Sequence, residues 1–149
     1  MALATAACSS GSTATPRATG PVDVPAPTAT ATDIAATCTA LLASLPDQLD
    51  PGVDRRPVTG DSARTAAWGD PAITLQCGVE PADQNQTPLV LDDLAFVTQR
   101  RPGRVLWSTR DLAVTIRLDI PRSYESQADV VLPLVPALKT LPTRRPGRP

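Results

Sequence analysis

The sequence predicts an α+β fold: an antiparallel sheet of about four to five strands with two helices packed on one face. Helical periodicity near residue 34, strict alternation near residue 116, and short polar links between the apolar runs lead to it.

The first helix is read in DIAATCTALLASLP. Ile34, Cys38, Leu41, Leu42 and Leu45 fall on one face, Thr32 or Asp33 can cap the start, and Pro46 stops it. Residues 47–70 are turn-rich, with Asp50-Pro51-Gly52 and Gly60-Asp61, and read as loop. AITLQC alternates, with Ile73, Leu75 and Cys77 on one face. PLVL and LAFVTQ flank Asp92-Asp93, a carboxylate pair for acid–base work or a cation or, more simply, a hairpin turn, and RVLWS follows Arg101-Pro102-Gly103, a second hairpin turn. In LAVTIRLDI, Leu112, Val114, Ile116, Leu118 and Ile120 share a face opposite Thr115, Arg117 and Asp119, the clearest strand of the chain. SQADVVLPLVPALKTL places Val131, Leu134, Leu138 and Leu141 at helical spacing. Pro133 and Pro136 fit a helix there only in its first turn, so a short helix with an irregular start is expected.

Composition narrows the function. The chain has 149 residues, enough for one domain, and a formal charge of −1, which gives no general attraction to nucleic acid. It has no histidine, which removes histidine triads, histidine metal sites and histidine proton shuttles. Nothing in the sequence implies a cofactor, and no Gly-rich phosphate loop, nucleophile elbow or EF-hand pattern occurs. Aromatics are 3% of residues, so the core is built from Ala, Val, Leu and Ile.

The opening MALATAACSSGSTATPRATG addresses location. Thr5-Ala6-Ala7-Cys8 resembles the box that ends a bacterial lipoprotein signal, with Cys8 the lipid-bearing residue. Residues 1–8 then read as the end of an export signal whose front lies upstream of Met1. Residues 9–32, nearly all Thr, Ala, Pro, Ser and Gly, read as a disordered tether reaching about 25–30 Å as a coil. Residues 33–142 form a single domain and 143–149 a disordered basic tail, either solvated or beside anionic headgroups. The expected location is the extracytoplasmic face of the membrane. With Cys8 lipidated, Cys38 and Cys77 remain, one on the buried face of the helix and one on the inward face of a strand. In an oxidising compartment they pair; in a reducing one they serve as small buried hydrophobes.

CTALLASLPDQL, RRPVTGDS, AAWGDPAITLQCGV and VTIRLDIPRSYE resemble an actinobacterial family catalogued as domain of unknown function 3515. The resemblance covers roughly residues 36–140. It implies a small secreted or lipid-anchored envelope protein, carries its two cysteines onto Cys38 and Cys77, and brings no activity.

The residues left for chemistry are few. Trp68 beside Asp70, and the pair Arg55-Arg56, form a candidate ligand surface: a ring for stacking, a carboxylate, and guanidiniums for an anion. The plainer alternatives are a Trp68 that plugs the sheet end, with Gly69 and Asp70 shaping a turn, and arginines that are surface charge. Trp107 reads as a core or cross-strand residue, and Asp119 and Tyr124 flank a strand exit at Ile120-Pro121. The expectation is a non-enzymatic, lipid-anchored binding module for an envelope protein or component. Its alternatives are an envelope enzyme using carboxylates such as Asp70 or Asp119, and a carrier with an apolar cavity of roughly 300 Å³ or more.

Overall fold

The computed structural model describes residues 16–28 and 32–145. Cys8 lies outside the described residues, as do 146–149 of the basic tail. Ten strands are described: β1 (Val22–Asp23), β2 (Gln48–Asp50), β3 (Val53–Arg56), β4 (Val58–Thr59), β5 (Thr65–Trp68), β6 (Ile73–Cys77), β7 (Leu89–Leu91), β8 (Leu94–Arg101), β9 (Arg104–Thr109) and β10 (Ile116–Pro121). The helices are α1 (Thr32–Ser44), α2 (Gln127–Val131) and α3 (Val135–Leu138), with a 3₁₀ turn at Leu132–Leu134 between the last two.

Eight strands form one antiparallel sheet in the order β2-β3-β5-β6-β10-β9-β8-β7. β1 and β4 form a separate parallel pair. This corrects the expected fold: the protein is mostly β, not an α+β fold on a sheet of about four to five strands. The missing strands lie in the stretch read as loop. Thr65, Ala66, Ala67 and Trp68 are buried on both faces of the sheet, so β5 shows no alternation. β3 carries Asp54, Arg55 and Arg56, whose charges mask a strand.

The middle of the sheet obeys its pattern. On β6 and β10, Ile73, Leu75, Cys77, Ile116, Leu118 and Ile120 are buried and face the helices, each removal from water worth about 1.5–3 kcal/mol. β10 is shorter than its alternation suggests. Leu112 and Val114 are buried, yet Leu112 sits outside the strand, bridged to Thr143. Asp92 and Asp93 both have positive φ, 47° and 67°, which is the twist a two-residue hairpin between β7 and β8 requires. Pro102-Gly103 turns β8 into β9 with Gly103 at φ 73°. Each awkward proline near the C-terminus occupies the first turn of its own segment, Pro133 in the 3₁₀ turn and Pro136 in α3. No described helix is long and apolar enough to cross a membrane.

Residues 16–28, expected within the tether, lie along the domain instead. Val22 and Asp23 pair with Val58 and Thr59, and Val24 is 2% exposed. The Gln76 side chain donates to the Pro25 carbonyl at 2.6 Å. Gln76 points away from the helix face, so this strap crosses the opposite side of the sheet, where Thr65 and Ala67 are buried. Few large apolar groups hold it; backbone partners do, which composition does not reveal. Past residue 142, Arg144 N–H donates to the Asp111 carbonyl at 2.6 Å.

Candidate functional site

The sheet brings the candidate surface together at the β5–β6 turn. β3 supplies Arg55 and Arg56, and the end of β5 supplies Trp68, Gly69 and Asp70. Arg55, Arg56, Gly69 and Asp70, with Arg17, Gly52 and Asp54, line a small depression of about 110 Å³.

Trp68 does not serve as a stacking platform. It is 0% exposed, and its indole Nε1 donates to the Pro46 carbonyl at 2.9 Å. A buried indole that spends its N–H on a backbone carbonyl plugs the core. The Arg55 guanidinium lies over its ring, 5.0 Å from the centroid. Burial pulls the Arg55 pKa below its ordinary value, and the Asp47 carboxylate opposes that shift.

Arg56 and Asp70 point at the strap. Arg56 Nε and Nη2 donate to the Gly20 carbonyl at 3.0 and 2.9 Å, and Nη1 donates to the Gly69 carbonyl at 2.9 Å. The Asp70 carboxylate accepts the Ala18 N–H at 2.8 Å. Arg17 Nη1 donates to the Gly52 carbonyl at 2.7 Å. The surface expected to hold a ligand therefore holds residues 17–20 of the same chain. Sequence reading missed Arg17, Gly20 and Gly52; the one available signal was Val22-Asp23-Val24, a short alternation inside a Pro/Ala/Thr background.

The turn beneath is crowded. Gly69 has φ 72°, and a side chain there would meet the Tyr124 hydroxyl and Val53 Cγ1. Asp70–Pro71 is a cis peptide. Tyr124 donates its hydroxyl to the Pro71 carbonyl at 2.7 Å. Burial pushes the Tyr124 pKa up, the nearby Asp70 charge pushes it further, and Arg17 and Arg56 oppose this.

The other candidates are scattered. Asp119 pairs with Arg104 at 2.7 Å. Asp70 lines one depression with Asp54, and Asp119 lines another with Asp23, so the two carboxylates do not share a pocket. Asp92 pairs with Lys139 at 3.1 Å. Trp107 is buried, edge-on to Phe96 at 5.7 Å, with its Nε1 donating to Gln127 Oε1 at 2.8 Å. Two depressions, of about 620 and 560 Å³, are open grooves rather than enclosed apolar chambers. Among the described residues no group of three or more His, Cys, Asp or Glu side chains is placed to hold a metal ion.

Cys38 and Cys77 form a disulfide, with Cα atoms 5.7 Å apart and a sequence separation of 39. It ties α1 to β6, next to the centre of the sheet, and both cysteines are fully buried.

Residues 1–144 match the family described as Protein of unknown function (DUF3515). The chain belongs to that family. The match spans nearly the whole chain, so the strap and the anchor candidate Cys8 lie inside the family's extent as well as the sheet. No curated protein and no solved structure matches the chain.

Proposed function

We propose that this member of DUF3515 is a non-enzymatic binding module of the cell envelope, held to the extracytoplasmic face of the membrane by lipid on Cys8. The buried Cys38–Cys77 disulfide carries the reading. Such bonds persist in oxidising compartments and are rare where thiols are kept reduced. The sequence TAAC at residues 5–8 supplies the anchor, and the polar residues after it supply the link to the domain.

The site geometry favours binding over catalysis. Of the groups singled out for chemistry, Asp70 and Arg56 hold the chain's own strap, Asp119 pairs with Arg104, and Arg55 lies over the buried Trp68 ring. No cofactor is called for. The partner is an envelope protein or component, and a formal charge of −1 argues against nucleic acid.

The test is the intact mass, without reducing agent, of protein purified from membranes of cells expressing its natural reading frame. The expected species starts at Cys8, carries lipid, and lacks the two hydrogens of one disulfide. Cys8→Ala moves the protein out of the membrane fraction. An unmodified chain starting at Met1 with three free thiols overturns the reading.

A further inference from the structure

The sheet ends in an incomplete edge. β7 pairs only with Leu94, Ala95 and Phe96 of β8, which runs on to Arg101. Among the described residues no strand covers the outer side of residues 97–101. Their backbone groups on that side are open to another strand.

The edge borders a groove. Arg100 lies opposite Val105 and Thr98 opposite Trp107, and Trp107 lies opposite Leu118 of the core. The helix-facing side of the sheet therefore continues outward past α2, where it forms the open groove of about 620 Å³. Val105 and Trp107 line it, Tyr124 walls it, and Leu89 of β7 stands at its margin, 45% exposed. Val90, next along that edge, is 58% exposed.

Charge selects the occupant. Arg100 and Arg122 line the groove, and neither guanidinium has a hydrogen bond or ion pair among the described residues, whereas Arg104 is paired with Asp119. Glu125 is the one acid lining the groove, leaving a positive excess. A second copy of this chain fits badly, because edge-to-edge pairing brings Arg100 and Arg101 of both copies together. The chain's own segments outside the described residues contain no Asp or Glu.

We propose that the outer edge of β8 and its groove take an extended acidic peptide of a partner protein as an added strand. Backbone bonds to residues 97–101 supply the pairing. Alternate side chains of the added strand face the groove, placing carboxylates on Arg100 and Arg122 and apolar groups on Leu89 and Val105. The proposal rests on the binding-module reading but not on the anchor, so the mass measurement on Cys8 can fail without touching it, and the reverse holds.

The full chain, with its disulfide intact and ¹⁵N-labelled, is titrated with a capped heptapeptide that carries valine at its first and seventh positions, glutamate at its third and fifth, and threonine between them, so that one face of the added strand presents both apolar groups and carboxylates. The control peptide has lysine in place of glutamate. Amide shifts are expected to concentrate at residues 89–91 and 97–101 with the glutamate peptide only. Arg100→Glu and Arg122→Glu are each expected to weaken binding by about three- to fivefold. Both side chains are exposed, and an unchanged amide spectrum over β6 and β10 certifies the fold of either variant. Four results overturn the proposal: no response to the glutamate peptide; an equal response to the lysine peptide; concentration-dependent shifts along β8 without peptide, which make a second copy the occupant; and binding to phosphatidylglycerol vesicles through Arg100 and Arg122 with no peptide response, which makes the occupant a lipid surface.

Discussion

Arg56 grips the carbonyl of Gly20, 36 residues earlier in the chain, through two guanidinium nitrogens, and reaches the Gly69 carbonyl with the third. One side chain thus joins the strap to the β5–β6 turn. Arg56→Ala is expected to cost about 1–2 kcal/mol, the range for hydrogen bonds to a charged group discounted for partial exposure. Hydrogen exchange checks the location of the loss. Amides 17–25 lose protection while those of β6 and β10 keep theirs. Uniform loss across the sheet, or none in the strap, rejects Arg56 as the clamp.

The disulfide closes a loop of 39 residues. Replacing both Cys38 and Cys77 by Ala is expected to cost roughly 3–4 kcal/mol through the unfolded chain's entropy. Urea denaturation reads it directly. Full reduction of the wild type brings its midpoint to that of the variant; a reduced wild type that keeps its midpoint contradicts the argument.

Trp68 fills the end of the sheet with no exposure. Trp68→Ala is expected to cost about 3–5 kcal/mol, and Trp68→Phe less, with the Pro46 carbonyl left without its donor. Near-ultraviolet circular dichroism and thermal melts separate the two variants. A wild-type melt for Trp68→Ala places the ring outside the core.

Asp93 holds φ 67° in the hairpin between β7 and β8. Glycine adopts that conformation without a Cβ penalty, so Asp93→Gly is expected to raise stability by about 0.5–1 kcal/mol. The Lys139 ion pair is on Asp92 and stays in place. A lower melting temperature for Asp93→Gly argues against a turn limited by backbone strain.

Tyr124 is the sole tyrosine of the chain, so its ultraviolet titration is read without overlap from another phenol. Its midpoint is expected above 10.0 in the folded protein and at about that value in denaturant. The folded state then keeps a proton that the unfolded state gives up. The contribution of Tyr124 is complete below the unfolded pKa and is lost as pH rises through the folded one. Tyr124→Phe is expected to flatten the stability profile above that point. An unshifted titration removes the burial argument.

Where one face of a strand is wet and the other dry, the fold was legible. β6 and β10 alternate because the helices bury one side fully while the other stays partly exposed, and the two hairpins were readable from Asp92-Asp93 and Pro102-Gly103, whose chemistry admits the required backbone. β5 was opaque for the opposite reason: with the strap on one side and the helices on the other, Thr65, Ala66 and Ala67 are all small and all buried. Leu112 and Val114 misled by alternating outside the strand; both are buried, and Leu112 is bridged to the chain's return at Thr143. Of the candidate surface, position was legible and role was not. Trp68, Asp70, Arg55 and Arg56 do converge, but their partners are mostly backbone carbonyls and an amide of distant residues, and no side-chain pattern reports those.

The strap also sets a leash. A free segment from Cys8 to residue 32 would let an anchored domain wander and turn above a bilayer. With Ala18 and Gly20 fastened to the sheet, only residues 9–16 separate Cys8 from Arg17, the first clamped position. At full stretch that span covers no more than about 30 Å. With lipid on Cys8, the end of the sheet carrying Gly52 and Asp70 stays within that radius of the headgroups. The β8–β9 hairpin lies at the same end, since Pro121 pairs with Arg104 there and Tyr124 reaches Pro71. Any partner of the open edge would then have to approach sideways, along the membrane plane, which favours one that is itself held at the membrane.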